Sequence, residues 1–368
     1  MNNLFRLFPS LGLFLLCLSP LSGQTVQAVI ADRSSREVIP DVFVFLANSS
    51  IGTASDEAGI FELELTETKE IVLVFSHINY ELLTIEIADA RILRDTFFLQ
   101  PIKVELNEAV VVEKSRSRLR DRRLKAFTKA FLGEDTRDKY VRITNPEVLL
   151  FRQTRDKMEA EAKEPLVIEN RRLGYSVQFY LEDFGLFDNG DLYYKGNTFF
   201  QPLEGTPQEE LEFQKNRRSV YKKSSRSFFS DLVQKQLDTT TYVMGFSRLD
   251  NDQNFVDFNS VNPSSLNFQS QGEEAAYQIS VYGFLTVINQ NILVEDNLQA
   301  PSKAELNSTS RQFTAKGPQH ATSYLRSRSN KILVNKYGKI LNPSDIEEYG
   351  YWASLRVSAL LPSDYAPE

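Results

Sequence analysis

Short alternating runs of apolar and polar residues, separated by turn residues, fill the chain from Gln24 to about Lys103. TVQAVIA predicts a first strand, and the polar stretch DRSSREVIP ends it. VFVFLA follows Pro40, and NSSIGTASDEAG, with Gly52 and Gly59, predicts a turn region. FELEL has period two, which puts Phe61, Leu63 and Leu65 on one face and Glu62 and Glu64 on the other. EIVLVFS is nearly continuous in apolar residues and predicts a central strand; YELLTIEI and DTFFLQ complete the set. Roughly seven short strands in about 80 residues at this turn spacing predict a β-sandwich.

A helical period follows. SRSRLRDRRLKAFTKAFLG sets Leu124, Phe127 and Phe131 at helical spacing with Gly133 as C-cap, so an amphipathic helix is expected from Ser117 to Leu132. Beyond Asp135 the alternation returns in EVLLFRQ, KMEAEAKEPLVIEN, YSVQFYLEDFGLF and DLYYKGNTFFQPLE, which predict antiparallel strands. TPQEELEF opens a helix with Thr206 as N-cap, Pro207 at the first position and Glu209 completing a capping box. FFSDLVQKQL continues or restarts that helix, and AAYQISVYGFLTVI and YWASLRVSALLP predict later strands. The expected fold class is mainly β and α+β. A β-sandwich over 24–103 is followed by a linker and basic helix over 104–134, then an α+β domain over 135–368.

Composition adds the compartment. Residues 1–23 pair Arg6 with the apolar run LGLFLLCL, which falls short of the ~20 residues a membrane span needs and predicts an export signal. Ser22 and Gly23 set the expected cleavage between Gly23 and Gln24, which places the protein in the periplasm or at the outer membrane, with no transmembrane segment in the mature chain. Phe14, Leu15 and Leu16 before Cys17 argue against lipid attachment there. Cys17 is the single cysteine, so the processed chain is expected to have no disulfide and no thiolate chemistry. A net charge of −7 argues against nucleic acid as a general partner.

The densest polar cluster in the first region is TASDEAGIFELEL. A calcium loop of the EF-hand type needs oxygen ligands at alternate positions and a distal bidentate glutamate. Here Ser55, Asp56 and Glu57 crowd together, and Glu62 and Glu64 alternate along a strand. A hairpin turn is the expected structure: Asp56 accepts from backbone N–H groups two residues on, and Gly59 takes positive φ. GTASDEAGIFELEL resembles the GT-x-(T/S)-D-x-x-G-x-F-x-L signature of carboxypeptidase regulatory-like domains, which are transthyretin-like sandwiches. Pro40 with VFVFL, and VFSHINYELLTIEI, are similar to two further elements of that family. Asn79 stands where the family has glycine, and Gln27 and Ala28 stand where its first strand has one.

The resemblance implies a fold and is silent about catalysis, since in metallocarboxypeptidases this sandwich is an appendage to the zinc domain. FTKAFLGEDTRDKYVRITNPEVLLF, PLVIENRRLGYSVQFYLEDF and the ending LPSDYAPE resemble the region that accompanies the sandwich in exported Bacteroidetes-type proteins. VELNEAVVVEK resembles the segment after such sandwiches in outer-membrane nutrient receptors. No train of alternating strands follows it, so a membrane barrel is not expected.

Candidate chemistry is sparse. His77 and His320 are the two histidines, and neither begins an HxxE motif, so no zinc site is expected. Ser219 to Lys222 matches SxxK, but the companion SDN and KTG elements are missing. Asp183, Asp188 and Asp191 in DFGLFDNGD lie among aromatics and offer acids for a glycosidase pair, or simply a turn between strands. Six basic residues between Arg116 and Lys125, and the run KNRRSVYKKSSR, form solvated faces or meet an anionic partner.

The leading expectation is a non-enzymatic envelope protein that binds or scaffolds another protein or a glycan, with no catalytic, metal or cofactor site. A carbohydrate-binding accessory of a nutrient-uptake system and a glycan hydrolase are the alternatives.

Overall fold

The computed structural model describes residues 24–65, 69–89, 95–102, 118–133, 140–188, 190–249, 255–266, 268–271, 276–294 and 319–367. The expected signal over 1–23, Gly23 included, and the segment VELNEAVVVEK lie outside them.

The first unit holds β1 (Gln24–Asp32), β2 (Phe43–Leu46), β3 (Gly52–Ala54), β4 (Ile60–Leu65), β5 (Lys69–Ser76), β6 (Leu83–Asp89) and β7 (Thr96–Leu99). They form two sheets, β4-β1-β7 and β3-β2-β5-β6, with β1 and β7 parallel and the other pairs antiparallel. Phe61, Phe75 and Phe97 pack between the sheets at 4.7–6.1 Å between ring centres, with Ile30, Val44 and Leu73 fully buried around them. β3 is a short strand where the sequence predicts only a turn region, because Gly52 and Thr53 pair with Phe45 and Val44.

The second unit is a six-stranded sheet covered by a helix. It contains α1 (Arg118–Leu132), β8 (Val141–Ile143), β9 (Leu149–Gln153), β10 (Lys157–Ala162), β11 (Leu166–Asn170), β12 (Tyr175–Phe187) and β13 (Leu192–Pro202). β12 is its spine: β13 pairs along it, while β11 takes its first half and β10 its last residues. KMEAEAKEPLVIEN is therefore two strands and not one, broken before Pro165, which has no N–H to give a ladder. Phe127 and Phe131 of α1 are fully buried against Phe179, Phe184 and Tyr194, so the helix is a core element of this unit instead of part of a linker.

The third unit starts with α2 (Pro207–Lys222) and α3 (Ser225–Val233). Thr206 caps α2 through a reciprocal box with Glu209, and Ser224 caps the separate helix α3. The strands are β14 (Tyr242–Leu249), β15 (Phe255–Ser260), β16 (Gln269–Gln271), β17 (Ala276–Ser280), β18 (Phe284–Val294), β19 (Gln319–Ser327), β20 (Lys331–Val334) and β21 (Ile346–Gly350). They form a five-stranded sheet, β15-β14-β18-β19-β21, and a three-stranded sheet, β16-β17-β20. AAYQISVYGFLTVI thus divides between two sheets at Gly283, whose φ of +81° and approach to the Ser247 carbonyl leave no room for a side chain.

YWASLRVSALLP, expected as a closing strand, is a helical turn at Tyr351–Ser354 and a 3-10 turn at Val357–Ala359. Tyr351 and Trp352 are both buried; adjacent inward side chains suit a helical turn and contradict strand alternation. Among the described residues from Arg118 onward there are accordingly two large cores, one centred on Phe131 and Phe179 and one on Phe228, Leu285 and Trp352.

The C-terminal segment straps the units together. Val357 enters the core around Phe131 and Phe179, and Asn170 donates to the Ser358 carbonyl at 2.9 Å. Arg226 of α3 donates to the carbonyls of Pro362 and Tyr365, and Asp364 accepts from the Ser50 N–H in the sandwich.

Candidate functional site: a cation-walled cleft between the units

The sandwich docks through its second sheet. Along β2, Val44 and Leu46 point into the sandwich core, whereas Phe45 points out and packs on Tyr180 and Phe199 at 5.0 and 5.5 Å. Val74 of β5 joins that outer cluster and is fully buried. Asn48, at φ +61°, closes the contact: its Oδ1 accepts from the Thr198 N–H and hydroxyl, its N–H donates to the Thr198 carbonyl, and its carbonyl accepts from Ser363. Asn48, and not Asn79, is the asparagine of this unit with positive φ.

The turn with Asp56 and Gly59 is a local device. Asp56 Oδ1 accepts from the N–H groups of Ala58 and Ile60 at 2.9 and 2.8 Å, and Gly59 has φ +71° with the Ile30 carbonyl against it. Gln24, the first residue of β1, pairs with Leu65. His77 accepts from the Asn79 N–H and packs edge-on against Tyr80, while His320 lies exposed on β19 in another unit. Among the described residues no group of three or more histidines or carboxylates gathers as metal ligands.

The three aspartates of DFGLFDNGD do not occupy one level. Asp183 faces Lys195 across the β12–β13 ladder beside a bulge, whereas Asp188 and Asp191 sit at the hairpin tip. The four steps from Asp183 to Phe187 span about 13 Å of strand. The nearby aromatic faces already have a partner: the Lys157 ammonium lies 5.8 Å from the Phe187 ring centre and 5.2 Å from that of Tyr193, and donates to the Tyr193 hydroxyl.

Much of the basic charge is also structural. Arg120 donates to the Leu149 and Pro146 carbonyls, and Arg217 donates to those of Leu173 and Gly174 while stacking on Tyr175 at 4.1 Å. With Arg226 on the C-terminal strap, three arginines of the two basic runs bind backbone carbonyls.

A cavity of about 510 Å³ lies where α1, α2 and the C-terminal turns meet, and Lys223 is the basic residue of the two runs that lines it. That volume lies within the range of about 300–1,000 Å³ usual for small-molecule sites. Arg172, Lys223 and Arg356 supply its charge, Asn216 and Ser219 its polar groups, and Val220 and Leu355 part of its apolar wall. Gly133 ends α1 at φ +99°, where its missing side chain lets Arg356 approach; a Cβ there would stand 3.2 Å from that of Arg356. Ser219 of the SxxK match lines the cavity, but its companion there is Lys223, one turn on, and not Lys222. Burial pushes the Tyr194 hydroxyl up, with the Arg356 guanidinium opposing and the Glu348 carboxylate assisting. Desolvation pushes the Glu348 carboxyl up, opposed by the Ser225 hydroxyl. Sequence reasoning missed Arg172 and Arg356, because an arginine beside a turn carries no periodic or motif signal.

The family described as CarboxypepD_reg-like domain matches residues 26–111, a span that runs from the third residue of β1 through β7 and past the last described residue of the sandwich. The chain therefore carries a carboxypeptidase regulatory-like domain, followed by further, largely β units. No curated protein and no solved structure matched the chain.

Proposed function

We propose that this is an exported, non-enzymatic protein of the cell envelope, in which the regulatory-like sandwich and the units after it form one body that binds an envelope protein or glycan. The cation-walled cleft between the units carries the binding reading. The Arg6 and Leu11–Leu18 pattern supports export to the periplasm or outer membrane. A role beside a nutrient-uptake system remains within this reading, since a glycan would then be the bound component.

Crosslinking the protein in its native envelope tests it directly. The expected result is one reproducible partner, captured by a chain that begins at Gln24; recovery of the protein linked only to itself, or retained in the cytoplasm, overturns it. A polysaccharide-release assay addresses the hydrolase alternative. No reducing ends are expected, whereas release that disappears in Asp183→Asn or Asp191→Asn would make the protein an enzyme.

A further inference from the structure

We infer that the cleft lined by Arg172, Lys223 and Arg356 is a binding site for a small oxyanion ligand, a phosphorylated or carboxylated sugar-sized molecule. This deepens the binding-module reading and rests on it. Two of the cations are uncommitted: among the described residues neither the Lys223 ammonium nor the Arg356 guanidinium makes a hydrogen bond or ion pair. The contrast is with Arg120, Arg217 and Arg226, each of which ends on carbonyl oxygens of the chain. A guanidinium fork and an ammonium lining one cavity suit a phosphate or carboxylate, which takes two parallel N–H bonds from arginine and a point charge from lysine.

The cavity is too large for a bare ion and has the means to hold a hydroxylated body. Ser219 and Asn216 project from the same face of α2, one turn apart with Val220 and Lys223, and the Asn216 amide nitrogen is anchored on the Arg172 carbonyl at 2.9 Å. Lys223 is also the C-cap of α2, where a cation simply complements the helix dipole. Lys222, its exposed neighbour, enjoys the same dipole without lining the cavity, so it separates the two roles.

Calorimetric titration of the purified protein at roughly 50 mM salt, with screening kept modest, tests the assignment. Inorganic pyrophosphate, glucose 6-phosphate, glucuronate and neutral glucose serve as probes. One-to-one binding of at least one anion is expected, weakened about tenfold or more by Lys223→Gln and by Arg356→Gln, and unchanged by Lys222→Gln. Preference for glucose 6-phosphate assigns the ligand to the phosphate class, and preference for glucuronate to the carboxylate class. Silence of all three anions up to about 10 mM, equal binding of neutral glucose, or equal loss in Lys222→Gln would each overturn the site. Fluorescence of Trp352 checks that Arg356→Gln folds, and the exposed Lys223→Gln decides alone if it does not. A protein that still captures its envelope partner but ignores every anion defeats the cleft and leaves the binding reading standing.

Discussion

The two sheets of the sandwich are built from similar residues and meet different surroundings. In β4-β1-β7, FELEL alternates strictly: Phe61, Leu63 and Leu65 are buried, and Glu62 and Glu64 face water. In β3-β2-β5-β6, the runs VFVFL and EIVLVF have no polar face, because Val44 and Leu73 enter the sandwich while Phe45 and Val74 enter the joint with Tyr180 and Phe199. A strand buried on both sides has to be apolar at every position. The difference teaches that a continuous apolar strand in this domain marks the face on which the next unit docks.

The largest way to break that comparison is to truncate Phe45. Phe45→Ala is expected to cost about 3–5 kcal/mol in denaturant unfolding, whereas Glu62→Ala on the wet sheet stays within about 0.5 kcal/mol. Equal effects would mean that the joint contributes nothing to stability. A smaller perturbation sharpens it at the polar rim. Asn48→Ala removes two side-chain hydrogen bonds to Thr198 and places alanine at φ +61°, for an expected loss of about 1–3 kcal/mol. A double-mutant cycle with Thr198→Val should show coupling between the two sites; strict additivity would argue against a shared contact.

The smallest effect lies at the far end of β1, on the wet sheet. The Ser35 N–H holds the Asp32 carboxyl below the usual carboxylate range, with desolvation opposing and the Ser34 N–H and Tyr80 hydroxyl adding to it. A depressed folded-state pKa contributes stability that is present above the unfolded value of about 3.9 and is lost as pH falls below it. Asp32→Asn should therefore flatten the decline in stability below about pH 4, measured by thermal melts across pH. An unchanged acid limb would show that the clasp at Ser34, Ser35 and Tyr80 is incidental.

Legibility in the sequence follows the range of the interactions. The capping box at Thr206 and Glu209, the burial of Phe127 and Phe131, and the faces of FELEL all arise within one turn or one strand, and the residues alone predict them. The failures are non-local. YWASLRVSALLP has a strand's composition but fills a corner between two cores, and KMEAEAKEPLVIEN breaks because both of its halves pair with β12. The basic runs misled in a similar way, since an arginine committed to the Gly174 carbonyl and one open to a ligand look alike in one dimension.

By itself the sequence determined the sandwich, the turn at Asp56 and Gly59, and the helices α1 and α2 with the caps Gly133 and Thr206, because periodicity and turn chemistry act between residues a few positions apart. Tertiary structure alone decided which apolar faces meet, how residues 357–365 strap the units, and where Arg172, Lys223 and Arg356 come together. The strap contacts join residues more than a hundred positions apart, and chain closure, not local preference, brings them into one place.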